Sequence, residues 1–131
     1  MLKKTNGYLE EYYEKCLSLN PKNSYCLTHY GQWFYWAPAV NGGSKKKAMS
    51  NFSLGLTYAK NNAEKFYAEI FMSQMYYDQK DKQSAKIHLD KAKTYCPASE
   101  YIKELENYNA EGYSLFTYSK KKAEDEKRVN N

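Results

Sequence analysis

One helical pattern in the second half of the chain constrains the fold more than any other feature. Between Tyr76 and Pro97, small or apolar residues recur at the spacing that puts them on one face of an α-helix, namely Ala85, Leu89 and Ala92. The charged residues between them turn to water, namely Lys86, Asp90, Lys91 and Lys93. Because two of the three face positions are alanine, this helix is predicted to lie close against its neighbours. Asp81 is its predicted N-cap, and Pro97 ends it.

The same pattern occurs twice more along the chain. The copies are Ala48-x3-Phe52 with Gly55, and Leu9-x3-Tyr13 with Cys16, the latter closed by Pro21. The helices that precede the complete copies also match each other, as Tyr30-Gly31-x2-Phe34 and Met72-Ser73-x2-Tyr76. The small residue of each preceding helix is predicted to lie where the two helices of a hairpin touch. The chain therefore contains a helical hairpin in repeated form.

These patterns resemble the tetratricopeptide repeat (TPR), a hairpin of about 34 residues with the consensus W-x2-L-G-x2-Y, then A-x3-F, then P. The resemblance covers residues 6–97, with Leu27 and Glu69 at the position of the signature tryptophan. It implies an all-α fold of antiparallel helix hairpins, stacked as a short right-handed superhelix with a C-terminal capping helix. It also implies a concave groove, lined by the first helices, that holds a peptide or a partner helix without catalysis.

A single TPR-like domain is expected over residues 1–131. Its parts are the second helix of a truncated repeat (6–21), two repeats (23–60 and 61–97) and C-terminal capping helices (98–128). The predicted N-caps of the repeats are Asn23, Ser44 and Asn61, the last in a capping box with Glu64. The capping region forms two helices, or one broken near Asn109 or Gly112, and residues 120–131 fray. Since the first repeat has only its second helix, we expect the chain to belong to a longer protein.

Composition places the chain among globular proteins. Its 131 residues are 42% hydrophobic and 27% charged, which excludes the disordered class. No apolar run approaches the roughly 20 residues of a membrane-spanning helix, so no transmembrane segment is expected.

The predicted groove is an aromatic stripe interrupted by amides. Its residues are Tyr25, Thr28, Gln32, Tyr35, Trp36, Tyr67, Ile70, Gln74, Tyr77, Asp78, Tyr101 and Tyr108. Rings bury apolar area, while tyrosine hydroxyls and glutamine amides bond a peptide backbone. The alternative is that these tyrosines pack between neighbouring first helices. The family's clamp for a C-terminal carboxylate uses Lys, Arg and Asn, which this stripe lacks, so binding through that clamp is disfavoured.

Cysteine and histidine give no sign of chemistry. Cys16, Cys26 and Cys96 are predicted to be buried thiols rather than disulfide partners, which slightly favours a reducing compartment such as the cytoplasm. His29 has only Cys26 at helical spacing, and His88 is expected among exposed residues, with no Cys, Asp or Glu three or four residues away. We therefore expect no metal site, no cofactor and no enzyme activity.

The net charge of +5 raises nucleic acid and anionic membranes as partners. The lysines of 45–47 and 120–122 carry no recognition motif, and Glu124, Asp125 and Glu126 offset the second cluster. Nucleic acid is therefore disfavoured. Gly42, Gly43 and Ser44 lie before a helix start as in a phosphate cradle, but they lack the P-loop frame and are interpreted as a turn.

The sequence thus predicts a scaffold that holds a protein or peptide partner. The alternative is a ligand-binding or accessory component of a cell-envelope transport system, because the loop Pro38-x3-Gly42-Gly43-Ser44 is loosely similar to that of repeat proteins attached to solute transporters. A homodimer through the N-terminal helix is also predicted, since Tyr8, Tyr12 and Leu19 would form an uncovered apolar patch.

Overall fold

Seven stretches with helical spacing of apolar residues form α-helices. The computed structural model describes the backbone of residues 2–130 and the side chains of residues 7–130. In chain order the helices are α1 (Leu2–Leu19), α2 (Ser24–Trp36), α3 (Lys45–Thr57), α4 (Asn62–Asp78), α5 (Lys82–Tyr95), α6 (Glu100–Ala110) and α7 (Leu115–Val129). A 3-10 turn, Ala39–Asn41, lies between α2 and α3, and residues 2–130 contain no strand. The all-α prediction is confirmed.

The helix starts follow from side-chain caps, as predicted. The caps are Asn23, Ser44, Asn61 and Asp81, and each accepts a hydrogen bond from the backbone N–H three residues later. The predicted capping box between Asn61 and Glu64 is only half present. The Glu64 carboxylate accepts the N–H of Lys60 at 2.8 Å, one residue before the cap. This hydrogen bond pairs the backbone N–H of Lys60 in the turn, whereas a full capping box would pair the backbone N–H of the cap residue Asn61.

Several helix ends differ from the prediction by a few residues. α1 begins at Leu2 instead of residue 6, and α3 ends at Thr57 because the chain needs residues 58–61 to reverse direction. The break between α6 and α7 lies at residues 111–114, where Gly112 has a φ of +94°, a conformation that suits glycine. Residues 120–129, predicted to fray, form the exposed second half of α7. Asn131 lies outside the described residues.

The helices pack as consecutive hairpins. α2 packs mainly on α3, α4 packs mainly on α5, and α3 joins the two pairs by packing on α4. The predicted face positions are buried in both pairs, namely Ala48, Phe52 and Gly55 on α3 and Ala85, Leu89 and Ala92 on α5. The helical phase derived from the repeated pattern is therefore correct.

Small residues make the closest contacts inside each hairpin. A Cβ added at Gly31 would lie 2.5 Å from a ring carbon of Phe52. At the corresponding point of the second hairpin, the Ser73 hydroxyl donates to the carbonyl oxygen of Ala85 at 2.7 Å. The first hairpin has its own bond of this kind, from the Ser24 hydroxyl to the carbonyl oxygen of Gly55 at 2.7 Å. Short side chains thus let each pair of helices approach until side chain meets backbone.

A disulfide corrects the cysteine prediction. Cys16 and Cys26 form a disulfide bond, and Cys96 is an exposed free thiol rather than a buried one. The prediction was wrong because the turn at residues 20–23 folds the end of α1 back on the start of α2, and sequence spacing alone does not show this proximity. Disulfides persist mainly in oxidising compartments, so the cysteines no longer favour a reducing compartment.

α1 is attached to the rest of the fold chiefly through α2. The Tyr13 ring stacks on Tyr30 with 5.5 Å between centroids, and the Tyr30 hydroxyl donates to Glu14 at 3.2 Å. Burial, followed by the charge of Glu14, raises the pKa of Tyr30, so this hydroxyl stays protonated as the donor. As predicted, Tyr8, Tyr12 and Leu19 are left exposed on α1.

Replacing Gly31 tests the close approach of α2 and α3. Gly31→Ala should lower the free energy of unfolding by about 1–3 kcal/mol, because the new methyl group overlaps the Phe52 ring. Gly7→Ala is the matched control, because Gly7 is also helical and no atom of the described residues lies within 4 Å of the added Cβ. This change should stabilise the fold by about 0.5–1 kcal/mol. Chemical denaturation measures both variants. Equal shifts in the same direction would contradict the packing described.

The second stability prediction concerns the disulfide. Cys16→Ser should lower the free energy of unfolding by about 2–4 kcal/mol, because the bond restricts the unfolded chain and fastens α1 to α2. Thermal unfolding with and without a reducing agent measures the effect, and reductant should not destabilise Cys16→Ser further. Cys96→Ser should leave the midpoint unchanged, since Cys96 is exposed and unpaired. Three titratable thiols in the native, unreduced protein would refute the bond.

Candidate partner-binding face

The structure divides the predicted aromatic stripe by exposure. Tyr25, Trp36 and Tyr67 are exposed; Gln32, Tyr35, Tyr77, Asp78, Tyr101 and Tyr108 are partly buried; Thr28, Ile70 and Gln74 are buried. Ile70 and Gln74 offer no surface to a partner in this arrangement, whereas Thr28 lines a cavity described below. The stripe therefore has a covered part, which includes Tyr35, Gln74 and Tyr77, and an open part, which includes Tyr25 and Tyr67.

The covered part of the stripe holds a segment of the same chain. The Gln74 side-chain oxygen accepts the backbone N–H of Leu115 at 2.9 Å and the side-chain amide of Asn109 at 3.0 Å. The Tyr77 hydroxyl donates to the backbone carbonyl of Asn109 at 2.7 Å. These two side chains of α4 thus bond the backbone on both sides of the turn between α6 and α7.

A phenylalanine from α7 completes this contact. Phe116 is buried and stacks on Tyr35 with 4.0 Å between ring centroids, and the rings of Trp36, Phe71 and Phe52 surround it at 5.9, 6.3 and 6.5 Å. The Tyr35 hydroxyl donates to Asp78 at 2.7 Å. Burial, followed by the bond to Asp78, raises the pKa of Tyr35. Tyr35 thus connects α2 to α4 while its ring forms one wall for Phe116.

The start of α7 is fixed by its own cap, which aims Phe116 inward. The Ser114 hydroxyl accepts the N–H of Thr117 at 3.1 Å, and the Thr117 hydroxyl oxygen accepts the N–H of Ser114 at 2.8 Å. This reciprocal capping box sets the first turn of the helix. Beyond Tyr118, which stacks on Tyr108 at 3.8 Å, the side chains of α7 are mostly exposed. The anchor of α7 is therefore its first turn.

Sequence reasoning missed residues 109–116 as the occupant of the stripe. The side-chain chemistry assigned to a peptide ligand, with rings for apolar area and Gln and Tyr for the backbone, is here used within the chain. Ser114 followed by Thr117 at capping distance was a readable signal for a helix start. Nothing in the local pattern indicated which surface that helix start would reach.

The open part of the stripe surrounds a small cavity between α2 and α4. The cavity has a volume of about 130 Å³ and is lined by Ser24, Tyr25, Thr28, His29, Ala63, Glu64 and Tyr67. The Tyr25 ring lies against His29 with 4.1 Å between centroids. Burial lowers the pKa of His29, which favours its neutral form, and its Nδ1 lies 3.1 Å from the side-chain nitrogen of Gln32. The surface is therefore aromatic, with one carboxylate, Glu64, at its border.

A second cavity lies on the other side of α2, against α1. It has a volume of about 250 Å³ and is lined by Leu9, Tyr13, His29, Gln32, Trp33, Trp36 and Ala37. His29 lines both cavities, so the two lie on either side of the exposed residues of α2. Farther along, burial and then the neighbouring Tyr108 raise the pKa of Tyr101 to about 12, which keeps its hydroxyl protonated.

A contact between the side chains of His88 and Glu69 in the second hairpin is a further finding that the sequence did not reveal. His88 was predicted to be exposed, but it is partly buried. Its Nδ1 lies 3.0 Å from the carboxylate of Glu69, and its ring stacks on Tyr76. Glu69 is buried, and its second oxygen has no hydrogen-bond partner among the described residues. Nineteen residues separate the two in sequence. The pair joins α4 to α5 within the packed hairpin.

The described residues contain neither a cluster of metal ligands nor a membrane-spanning helix. Among the side chains of residues 7–130, no group of three or more His, Cys, Asp or Glu is placed to hold a metal ion. None of the helices described for residues 2–130 is both long and apolar enough to cross a membrane.

Exchanging equivalent glutamines tests the covered part of the stripe. Gln74→Leu should lower the free energy of unfolding by about 1–3 kcal/mol, because the Leu115 N–H and the Asn109 amide lose their acceptor. Gln32→Leu, the same change at the equivalent position of α2, should cost less than about 1 kcal/mol, since Gln32 is only partly buried and bonds His29. Hydrogen exchange at the Leu115 amide should quicken only in Gln74→Leu. Unchanged exchange there would contradict the contact.

Comparison of the chain with protein-family models, curated proteins and solved structures finds no match.

Proposed function

We propose that this chain is a non-catalytic TPR-like scaffold, a short right-handed stack of helix hairpins that binds a peptide or partner helix on its concave face. The observation that carries the proposal is the pair Tyr25 and Tyr67. They occupy equivalent positions on α2 and α4, both are exposed, and both line the cavity of about 130 Å³. Exposed aromatic residues that flank a cavity are typical of binding surfaces.

The size and lining of this cavity suggest what the partner presents. An apolar side chain of moderate size would bury its surface between the two rings, with Thr28 and Ala63 at the sides. Glu64 also lines this cavity, so a partner backbone or a basic side chain would meet a carboxylate beside the two tyrosines. The partner is therefore a peptide or helix with one apolar anchor and polar or basic flanks.

The contact made by residues 109–116 supports this mode of binding. There, a side-chain amide and a hydroxyl of α4 hold the backbone while a single ring enters the space between helices. The open part of the stripe offers rings with a polar side chain beside them in Tyr25, Tyr67 and Glu64. A partner bound there would continue the row of contacts that the chain already makes with itself.

A library of random peptides, selected against the intact chain, tests the proposal. Peptides that bind the wild type should lose at least tenfold in affinity, about 1.4 kcal/mol, when the chain carries Tyr25→Ser or Tyr67→Ser, because each change removes a ring from the cavity. Ile87→Ser is the matched control, since Ile87 on α5 is 47% exposed and Tyr67 is 46% exposed. Calorimetric titration measures the affinities.

Two results of that titration would contradict the proposal. One is selected peptides that bind Tyr25→Ser and Tyr67→Ser as tightly as the wild type. The other is peptides that lose affinity equally in Ile87→Ser, which would show a general response rather than a site. Circular dichroism of each variant shows that the helices are intact before affinities are compared.

A second candidate function has one structural observation in its favour. The disulfide between Cys16 and Cys26 is typical of oxidising compartments, which include the cell envelope. This supports the alternative of a ligand-binding or accessory component of a cell-envelope transport system. The loop that suggested the alternative, residues 38–44, contains the 3-10 turn and Gly42 with a φ of +101°.

A further inference from the structure

α1 is the least covered of three helices with the same pattern. The pattern residues of α3 are packed against α2, and those of α5 are packed against α4. All six are buried, namely Ala48, Phe52 and Gly55 on α3 and Ala85, Leu89 and Ala92 on α5. The equivalent residues of α1 are Leu9, Tyr13 and Cys16. Leu9 is 45% exposed, and the other two are only partly buried. Among residues 2–130, no helix packs on the pattern face of α1 in the way that α2 packs on the pattern face of α3.

The uncovered side of α1 continues into the cavity against α2. At about 100° per residue, Leu9, Tyr12 and Tyr8 follow one another around the helix beside the face that carries Tyr13. Tyr8 is 70% and Tyr12 is 59% exposed. Leu9 and Tyr13 also line the cavity of about 250 Å³, together with His29, Gln32, Trp33, Trp36 and Ala37. We call this combined surface of α1 and α2 the open groove.

We propose that the open groove is occupied by α1 of a second copy of this chain, in a two-fold dimer whose two α1 helices run antiparallel. In such an isologous contact each copy covers the other's uncovered residues, so one surface serves as both ligand and site. Tyr8, Leu9 and Tyr12 of one protomer then bury their rings and methyl groups against those of its partner. This inference goes beyond the proposed function, because it needs no peptide.

The charges on α1 favour a second copy over another kind of helix. Glu11 and Lys15 are both exposed and lie one turn apart at the outer edge of the open groove. In an antiparallel pair centred beside Tyr13, position 11 of each helix lies opposite position 15 of the other. Each Glu11 then faces a Lys15 across the interface, twice by symmetry. The edge of the groove is therefore electrostatically complementary to itself.

Sedimentation equilibrium of the full chain, without added peptide, tests the dimer. The wild type should pass reversibly from monomer to dimer as concentration rises. The double variant Tyr8→Ser with Tyr12→Ser should weaken the dimer at least tenfold, because both exposed rings of α1 are lost. Ile87→Ser, an exposed apolar residue on α5, should leave the dissociation constant unchanged. Helical circular dichroism should be the same in all three, which separates association from folding.

Charge exchange tests the antiparallel pairing itself. Glu11→Lys alone and Lys15→Glu alone should each weaken the dimer, because like charges then face each other. An equimolar mixture of these two single variants should associate again, since the heterodimer restores both opposite-charge pairs. Added salt should weaken the wild type and the mixture alike, because screening reduces these attractions.

Three results would overturn the inference. A wild type that stays monomeric at the highest attainable concentration would exclude the dimer. A dimer that tolerates the Tyr8 and Tyr12 substitutions would place the interface elsewhere. A mixture of the two charge variants that stays as weak as either alone would refute the antiparallel arrangement. None of these depends on whether Tyr25 and Tyr67 bind a peptide, so the two proposals fail separately.

Discussion

The close approach of two helix axes inside each hairpin is the constraint on which the other features depend. At Gly31 only a hydrogen separates α2 from the Phe52 ring, and at Ser73 a hydroxyl bonds the backbone of α5. These contacts fix the rotation of α2 and α4 about their axes. That rotation decides which residues turn to the core and which form the aromatic stripe. Tyr25 and Tyr67 are exposed at equivalent places because both helices obey the same constraint.

The stripe is used for two purposes along its length. Its covered part belongs to the folded core, because Phe116 brings α7 between rings from α2, α3 and α4. Its open part keeps the aromatic side chains of Tyr25 and Tyr67 in contact with solvent. A short anchor of one turn, capped by Ser114 and Thr117, is sufficient to make this division. The far half of α7 then extends from the body as a charged helix with ion pairs such as Lys121 to Asp125.

Local patterns carried the prediction of helices, caps and core faces, because each depends on residues three to seven apart. Asn23, Ser44, Asn61 and Asp81 cap their helices as predicted for this reason. The features that were missed all join residues distant in sequence. The disulfide, the pair of Glu69 with His88, and the docking of Phe116 depend on how hairpins turn and stack. No periodicity within a single helix records such distances.

The positions of the two tryptophans have a spectroscopic consequence. Trp33 and Trp36 are the only tryptophans of the chain, and both lie on α2. Trp33 is buried beside Tyr30 and Phe34, whereas Trp36 is exposed and lies near Phe116. The tryptophan fluorescence of the molecule therefore originates from one helix. Trp33 emits from a buried environment, and Trp36 emits from a solvent-exposed one. A change in the position of α1 or α7 that alters the surroundings of either tryptophan would shift the wavelength of this emission, so no attached dye is needed to detect it.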